Sequence, residues 1–159
     1  MLVNGKPYEA CNRAAGEIGA FLTVGNRRAE DDIAMEGLLQ RVSQTFANNG
    51  RQTGTLTFEQ VVDWSLASDA LVTQCLRELG RELGIVIYNC SVMLDIPTII
   101  FGGDYIKLGP ALFKGVKETI NQSFLPFRPV VIKSSLGETG GLYGGLAIGK
   151  DRLLQSVSM

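Results

Sequence analysis

Leu83-Gly84-Ile85-Val86-Ile87-Tyr88-Asn89-Cys90-Ser91-Val92-Met93-Leu94-Asp95-Ile96-Pro97-Thr98-Ile99-Ile100-Phe101-Gly102-Gly103 carries the clearest signal of fold class in the chain. Its first half continues an apolar helical stripe. Pro97 cannot prolong that helix and biases the residue before it toward extended backbone. Thr98 to Phe101, β-branched and aromatic throughout, reads as a short buried strand that runs into two glycines. A long helix, a proline stop, an apolar strand and a double glycine make one unit of an α/β protein.

Upstream, Ser68-Asp69 opens this helix, and Leu71, Cys75, Leu76, Leu79 and Leu83 form its stripe. Gly80 and Gly84 lie four apart on one face, where they would let another backbone approach closely. That gain must offset roughly 1 kcal/mol of helix propensity per glycine. Downstream, a helix is expected from about Pro110 to Ser123, with proline at a first-turn position. A strand over Val130 to Lys133 and a glycine-rich helix from about Thr139 to Leu154 follow. A helix between two apolar strands predicts that those strands are parallel.

At the front, Asn4-Gly5 is a type I′ hairpin signal between Met1–Val3 and Lys6–Tyr8. A chain that opens inside a sheet suggests truncation of a larger unit. Ala14 to Gly25, rich in small residues, reads as strand and tight loop. Glu30, Asp31 and Asp32 then suit a helix N-terminus. Ile33, Leu38, Leu39, Val42 and Phe46 fall on the face of that helix, which Asn48-Asn49-Gly50 stops. Thr57 and Gln60 match a capping box for a short helix carrying Val61, Val62 and Trp64. The whole of residues 1–159 reads as one domain without internal repeats.

Composition narrows the function. Apolar residues make up 45% and charged residues 19%, which fits a packed globular chain. Fifteen basic and sixteen acidic side chains nearly cancel, so bulk attraction to nucleic acid or anionic membrane is not expected. Histidine is absent, which removes His-based nucleophile pairs and His zinc ligands. Three scattered cysteines, Cys11, Cys75 and Cys90, suggest reduced thiols and a cytoplasmic setting. No apolar run reaches membrane-spanning length and no signal pattern opens the chain, so no membrane partner is expected.

Four segments, in order, resemble the second half of the ROK group of repressors, open reading frames and sugar kinases. Gly5-Lys6-Pro7-Tyr8 followed by Ala15-Gly16-Glu17-Ile18-Gly19 is similar to the signature stretch ending in Glu-x-Gly-His. Ala34-Met35-Glu36 stands where the family has Cys-Leu-Glu after its zinc loop. Leu83-Gly84 through Gly102-Gly103 resembles the long helix, proline turn, strand and double glycine. Gly140 to Gly149 looks like the closing helix.

The resemblance implies an α/β lobe of the actin-like ATPase, ribonuclease H-like fold, in which sugar and nucleotide bind between two lobes. It implies Glu17 and Glu36 as acceptors of sugar hydroxyls, a task suited to charged acceptors. Gly102 and Gly103 would let the backbone lie against adenosine, since neither carries a side chain. The departures matter equally. Ala20 replaces the family's histidine, and Asn26-Arg27-Arg28-Ala29-Glu30-Asp31-Asp32 replaces the cysteine-rich loop, so zinc is not expected. The phosphate loop and catalytic aspartate belong to the family's other lobe, so no catalytic residue is assigned here.

Each of these residues also has a plainer reading. Glu17 could pair at the surface, Glu36 could answer the helix dipole, and Gly102-Gly103 could be a turn. Cys75 and Cys90 suit buried packing, and Trp64 suits core or dimer packing. The functional expectation is a sugar-sensing and dimerising domain of a transcriptional regulator, with its DNA contacts made elsewhere. Its partners would be a sugar and a second copy. The alternative is half of a sugar kinase using ATP and magnesium, and a third option is a decayed frame retaining only an oligomerising role.

Overall fold

In a computed structural model the described residues are 2–3, 6–7, 11–12, 14–23, 26–122 and 128–157. The elements are β1 (Leu2–Val3), β2 (Lys6–Pro7), α1 (Ala29–Ile33), α2 (Met35–Asn48), α3 (Phe58–Leu66) and α4 (Ala70–Leu94). They continue with β3 (Thr98–Phe101), α5 (Pro110–Asn121), β4 (Val130–Lys133) and α6 (Gly140–Val157). Strands β1 and β2 pair antiparallel, as the hairpin reading requires, while its Asn4-Gly5 turn and Tyr8 lie outside the described residues. Strands β3 and β4 are parallel, with Phe101 opposite Lys133. The α5 crossover between them produces this pairing.

Helix starts follow their caps. Asp69 accepts from the amides of Leu71 and Val72 at 3.0 and 3.1 Å, which fixes the first turn of α4. Thr57 and Gln60 exchange hydrogen bonds at the start of α3 as a capping box. The left-handed Asp95 (φ 50°) and the following proline end α4.

Helices α4 and α5 pack almost backbone to backbone. A Cβ at Gly80 would overlap the Leu112 carbonyl oxygen and sit 3.1 Å from Gly115 Cα. One at Gly84 would lie 2.8 Å from Thr119 Cβ and 3.0 Å from the Val116 carbonyl oxygen. From the α5 side Gly115 repeats the arrangement, facing the Arg77 carbonyl. Beside this seam lie two apolar clusters. The larger joins Leu38, Val42, Phe46, Val61, Leu76, Leu79 and Leu112 with neighbours from α2 to α5. The smaller joins Leu83, Ile87, Val116 and Ile120, against which Ile99, Phe101 and Val131 of the sheet pack. The opposite sheet face is open, with Ile100 67% and Ile132 44% exposed.

Two expectations need correction. Of the stretch read as strand and tight loop, the described residues 14–23 form no strand: Ile18–Ala20 is a 3-10 turn and Leu22 makes one isolated bridge to Arg28. Local bonds from the Ala20 amide to Glu17 and from the Phe21 amide to Ile18, both 3.1 Å, hold the chain in that turn. The acidic helix start is a separate short helix, α1, broken from α2 at extended Ala34 (ψ 169°). Gly37 permits the sharp break, because a Cβ there would lie 2.5 Å from the Asp31 carbonyl oxygen and 2.9 Å from that of Asp32. Trp64 takes the core placement among its two readings, half-buried and edge-on to Phe46 at 5.1 Å.

Candidate functional site

The α1–α2 break is also where the two sequence-predicted binding segments meet. Tyr105 follows the double glycine, and its hydroxyl donates to the Ile33 carbonyl oxygen at 2.7 Å, across 72 residues of chain. Its ring stacks on Phe58 at 6.1 Å. Burial, reinforced by the nearby Glu36 charge, pushes the Tyr105 hydroxyl up to about 12. The phenol therefore stays neutral and holds the end of α1 against the segment after β3.

Two clefts open on either side of this junction and share Ala34. The first, about 410 Å³, is lined by Ile33, Ala34 and Met35 from the break and by Leu83, Phe101, Gly102, Asp104 and Tyr105. The second, about 640 Å³ and more polar, is lined by Arg27, Arg28, Glu30, Asp31, Ala34, Glu36, Gly37 and Gln40. Most of its charges are already engaged. Arg28 pairs with Glu30 at 2.5 Å and Asp31 at 2.7 Å, and Arg27 pairs with Asp32 at 2.5 Å. The Asp31 carboxyl is accordingly held below its ordinary value by its hydrogen bond from Arg28. Glu36, exposed in the first turn of α2, makes no ion pair or hydrogen bond among the described residues. It is the carboxylate of this cleft left free for a ligand.

The other sequence-predicted residues are placed less centrally. Gly102 lines the first cleft, 3.7 Å from Ser134 Cβ for a Cβ built on it. Gly103 adopts φ 80° with nothing within 4 Å of such a Cβ, so both a turn and a close ligand approach suit glycine there. Glu17 caps the 3-10 turn of Ile18–Ala20 by backbone only, is exposed, and lines neither cleft. The structure therefore brings the Glu36 segment to Gly102 and does not bring Glu17 to either.

The residues where the family carries its zinc loop do not fit that metal. Residues 26–32 offer no thiolate or imidazole, and the carboxylates of Glu30, Asp31 and Asp32 are held by Arg27 and Arg28. No group of three or more metal-ligating side chains occurs among the described residues. Ala20 is exposed at the end of the 3-10 turn.

Sequence reading missed Tyr105 and Gly37. The signal for Tyr105 was present, a lone tyrosine two residues beyond a double glycine, but its partner is a backbone carbonyl that no pattern reveals.

A parallel α/β unit flanked by packed helices, with a cleft at the carboxyl end of its strand, is the architecture of one lobe of an actin-like α/β fold. The chain belongs to the ROK family, which matches residues 2–152. It is similar to the xylose repressor of Staphylococcus xylosus, 23% identical over 126 residues, or 74% of this chain and 31% of the repressor. It also shares the fold of a solved protein from Cytophaga hutchinsonii whose assignment as a sugar kinase is inferred. There the TM-score is 0.79 at 19% identity, covering 92% of this chain and 52% of that one. The chain thus spans about a third and about half the length of these two relatives. No helix among the described residues is long and apolar enough to cross a membrane.

Proposed function

We propose that this chain is a sugar-sensing and dimerising lobe of a ROK-type transcriptional regulator, and that its binding does not lead to chemistry. The observation that carries the proposal is the uncommitted Glu36 carboxylate, lining the polar cleft that shares Ala34 with the cleft of Gly102. Two neighbouring hydroxyls on a sugar ring present two donors to one such acceptor. Asp104, exposed beside the adjoining cleft and paired with Lys107 at 3.4 Å, would add a second acceptor. The name of the Staphylococcus xylosus relative favours a regulator and makes xylose the first sugar to test. The replacement of the family's histidine and cysteines by Ala20 and an arginine–carboxylate network points the same way. A sensor needs a binding geometry, whereas a kinase also needs a positioned hydroxyl and clamped phosphates.

The open sheet face of Ile100, Val130 and Ile132 and the exposed residues 141–150 of α6 are where a second lobe or a second copy would bury apolar surface. A kinase reading draws support from the Cytophaga hutchinsonii fold and from Gly102-Gly103. In it the glycines would lie against adenosine while ATP and magnesium were held chiefly by another lobe. The two readings part on a simple assay. A sensor binds sugar with no ATP present and transfers no phosphate, while a kinase turns over ATP in the presence of the sugar it binds.

A further inference from the structure

On α5, Pro110, Phe113, Lys114, Lys117 and Asn121 recur at helical spacing and share one face. Lys133, the last residue of β4, reaches the same face with its Nζ 4.3 Å from the centroid of the Phe113 ring. Together they line a groove of about 460 Å³ at the carboxyl end of the two parallel strands, with the α5 N-terminus at one end. Open α/β sheets hold ligands in this position, and the helix start adds partial positive charge.

The charge of the groove departs from the rest of the molecule. The chain as a whole carries a net charge of −1. Arg41 is matched by Glu82 at 2.6 Å and Arg51 by Asp69 at 2.6 Å. Lys114, Lys117 and Lys133 make no ion pair with a carboxylate among the described residues. The one acid lining the groove, Glu118, is shared by Arg77 at 2.5 Å and Arg81 at 3.1 Å. Three unmatched ammonium groups repel one another unless an anion sits among them. Lys133 also occupies a face of Phe113, which disfavours stacking of a nucleobase and leaves the groove to charge.

We infer that this groove is a binding site for a small, multiply charged phosphate anion, with Lys114, Lys117 and Lys133 as its ligands. The site is independent of the sugar reading, since it shares no residue with the clefts around Glu36. Several ammonium groups each meet a different phosphoryl oxygen, so an oligophosphate gains over a single phosphate.

The test is titration of the intact chain with inorganic triphosphate, followed by calorimetry, with orthophosphate and a short DNA duplex in parallel. The expected result is saturable triphosphate binding that weakens with added salt and is at least about tenfold tighter than orthophosphate. Lys117→Gln and Lys133→Gln should each weaken it about five- to tenfold, and Lys150→Gln on α6 should leave it unchanged. All three side chains are exposed, and a thermal melt confirms that the variants fold. Absence of saturable binding, equal loss in the Lys150 variant, or binding of the duplex without triphosphate would each overturn the inference.

Discussion

Gly80→Ala is expected to be among the most damaging single-methyl additions to this protein, although alanine is the better helix former. The new Cβ would overlap the Leu112 carbonyl oxygen and sit 3.0 Å from its carbon and 3.1 Å from Gly115 Cα. Ordinary carbon contacts lie at roughly 3.5–4.0 Å, so α4 and α5 must part by something on the order of 1 Å. The obstacle is helical backbone, which cannot rotate aside as a side chain would. Overpacking of this kind costs about 1–3 kcal/mol, and the parting also loosens Leu76, Leu79, Leu112 and Val116, all fully buried. Helix propensity returns about 1 kcal/mol. The net expectation is a loss of about 1–2 kcal/mol, or a fall in Tm of roughly 2–8 °C for a chain of this size. Gly145→Ala on α6 is the matched control, because nothing lies within 4 Å of its Cβ. It should stabilise by up to about 1 kcal/mol. Urea titration of both variants reads the two signs directly. A Gly80→Ala protein as stable as the wild type would refute the close approach of α4 and α5.

Tyr105→Phe removes the hydrogen bond to the Ile33 carbonyl and should cost about 1 kcal/mol in the same titration. In the wild type the Tyr105 proton is held to about 12 when folded against an ordinary 10.0, so its contribution is full below pH 10. It should be lost as pH rises through 12, amounting to roughly 2–3 kcal/mol, and the phenylalanine variant should lack that alkaline loss. Asp69→Ala removes the α4 cap and the Arg51 ion pair, with an expected cost of about 2 kcal/mol by chemical denaturation. Burial works against the Asp69 charge, yet the Val72 and Leu71 amides and Arg51 hold its carboxyl below 3.8. Its contribution is therefore present above that pH and fades as pH falls below it, a decline the alanine variant should not share.

The fold was legible wherever one residue type imposes one backbone outcome. Pro97 stopped α4, Asp69 and Thr57 started their helices, and Gly80 with Gly84 announced a close neighbour, which the packing against α5 supplies. Over residues 14–23 the turn half of the reading held and the strand half failed, because small residues fit both extended chain and tight turn, and local hydrogen bonds settled the choice. The α1–α2 break was invisible because its apolar period runs on through Ala34, while its cause is the fit of Gly37 against carbonyls of the preceding helix. The site was half legible. Family resemblance picked Glu36 and Gly102 as candidates, and they line neighbouring clefts that share Ala34, beside the bond from Tyr105 to a carbonyl 72 positions away. Glu17 was placed by motif alone, and its exposed position on the 3-10 turn puts it in neither cleft.

On the proposed reading, the free carboxylate beside the α1–α2 break receives a sugar. The decisive experiment is calorimetric titration of the folded chain with xylose, glucose and N-acetylglucosamine, repeated on Glu36→Gln. Saturable heat is expected with at least one sugar in the absence of ATP, weakened about tenfold or more by the substitution. Binding untouched by Glu36→Gln, or no heat from any of the three with a protein that melts cooperatively, would contradict it.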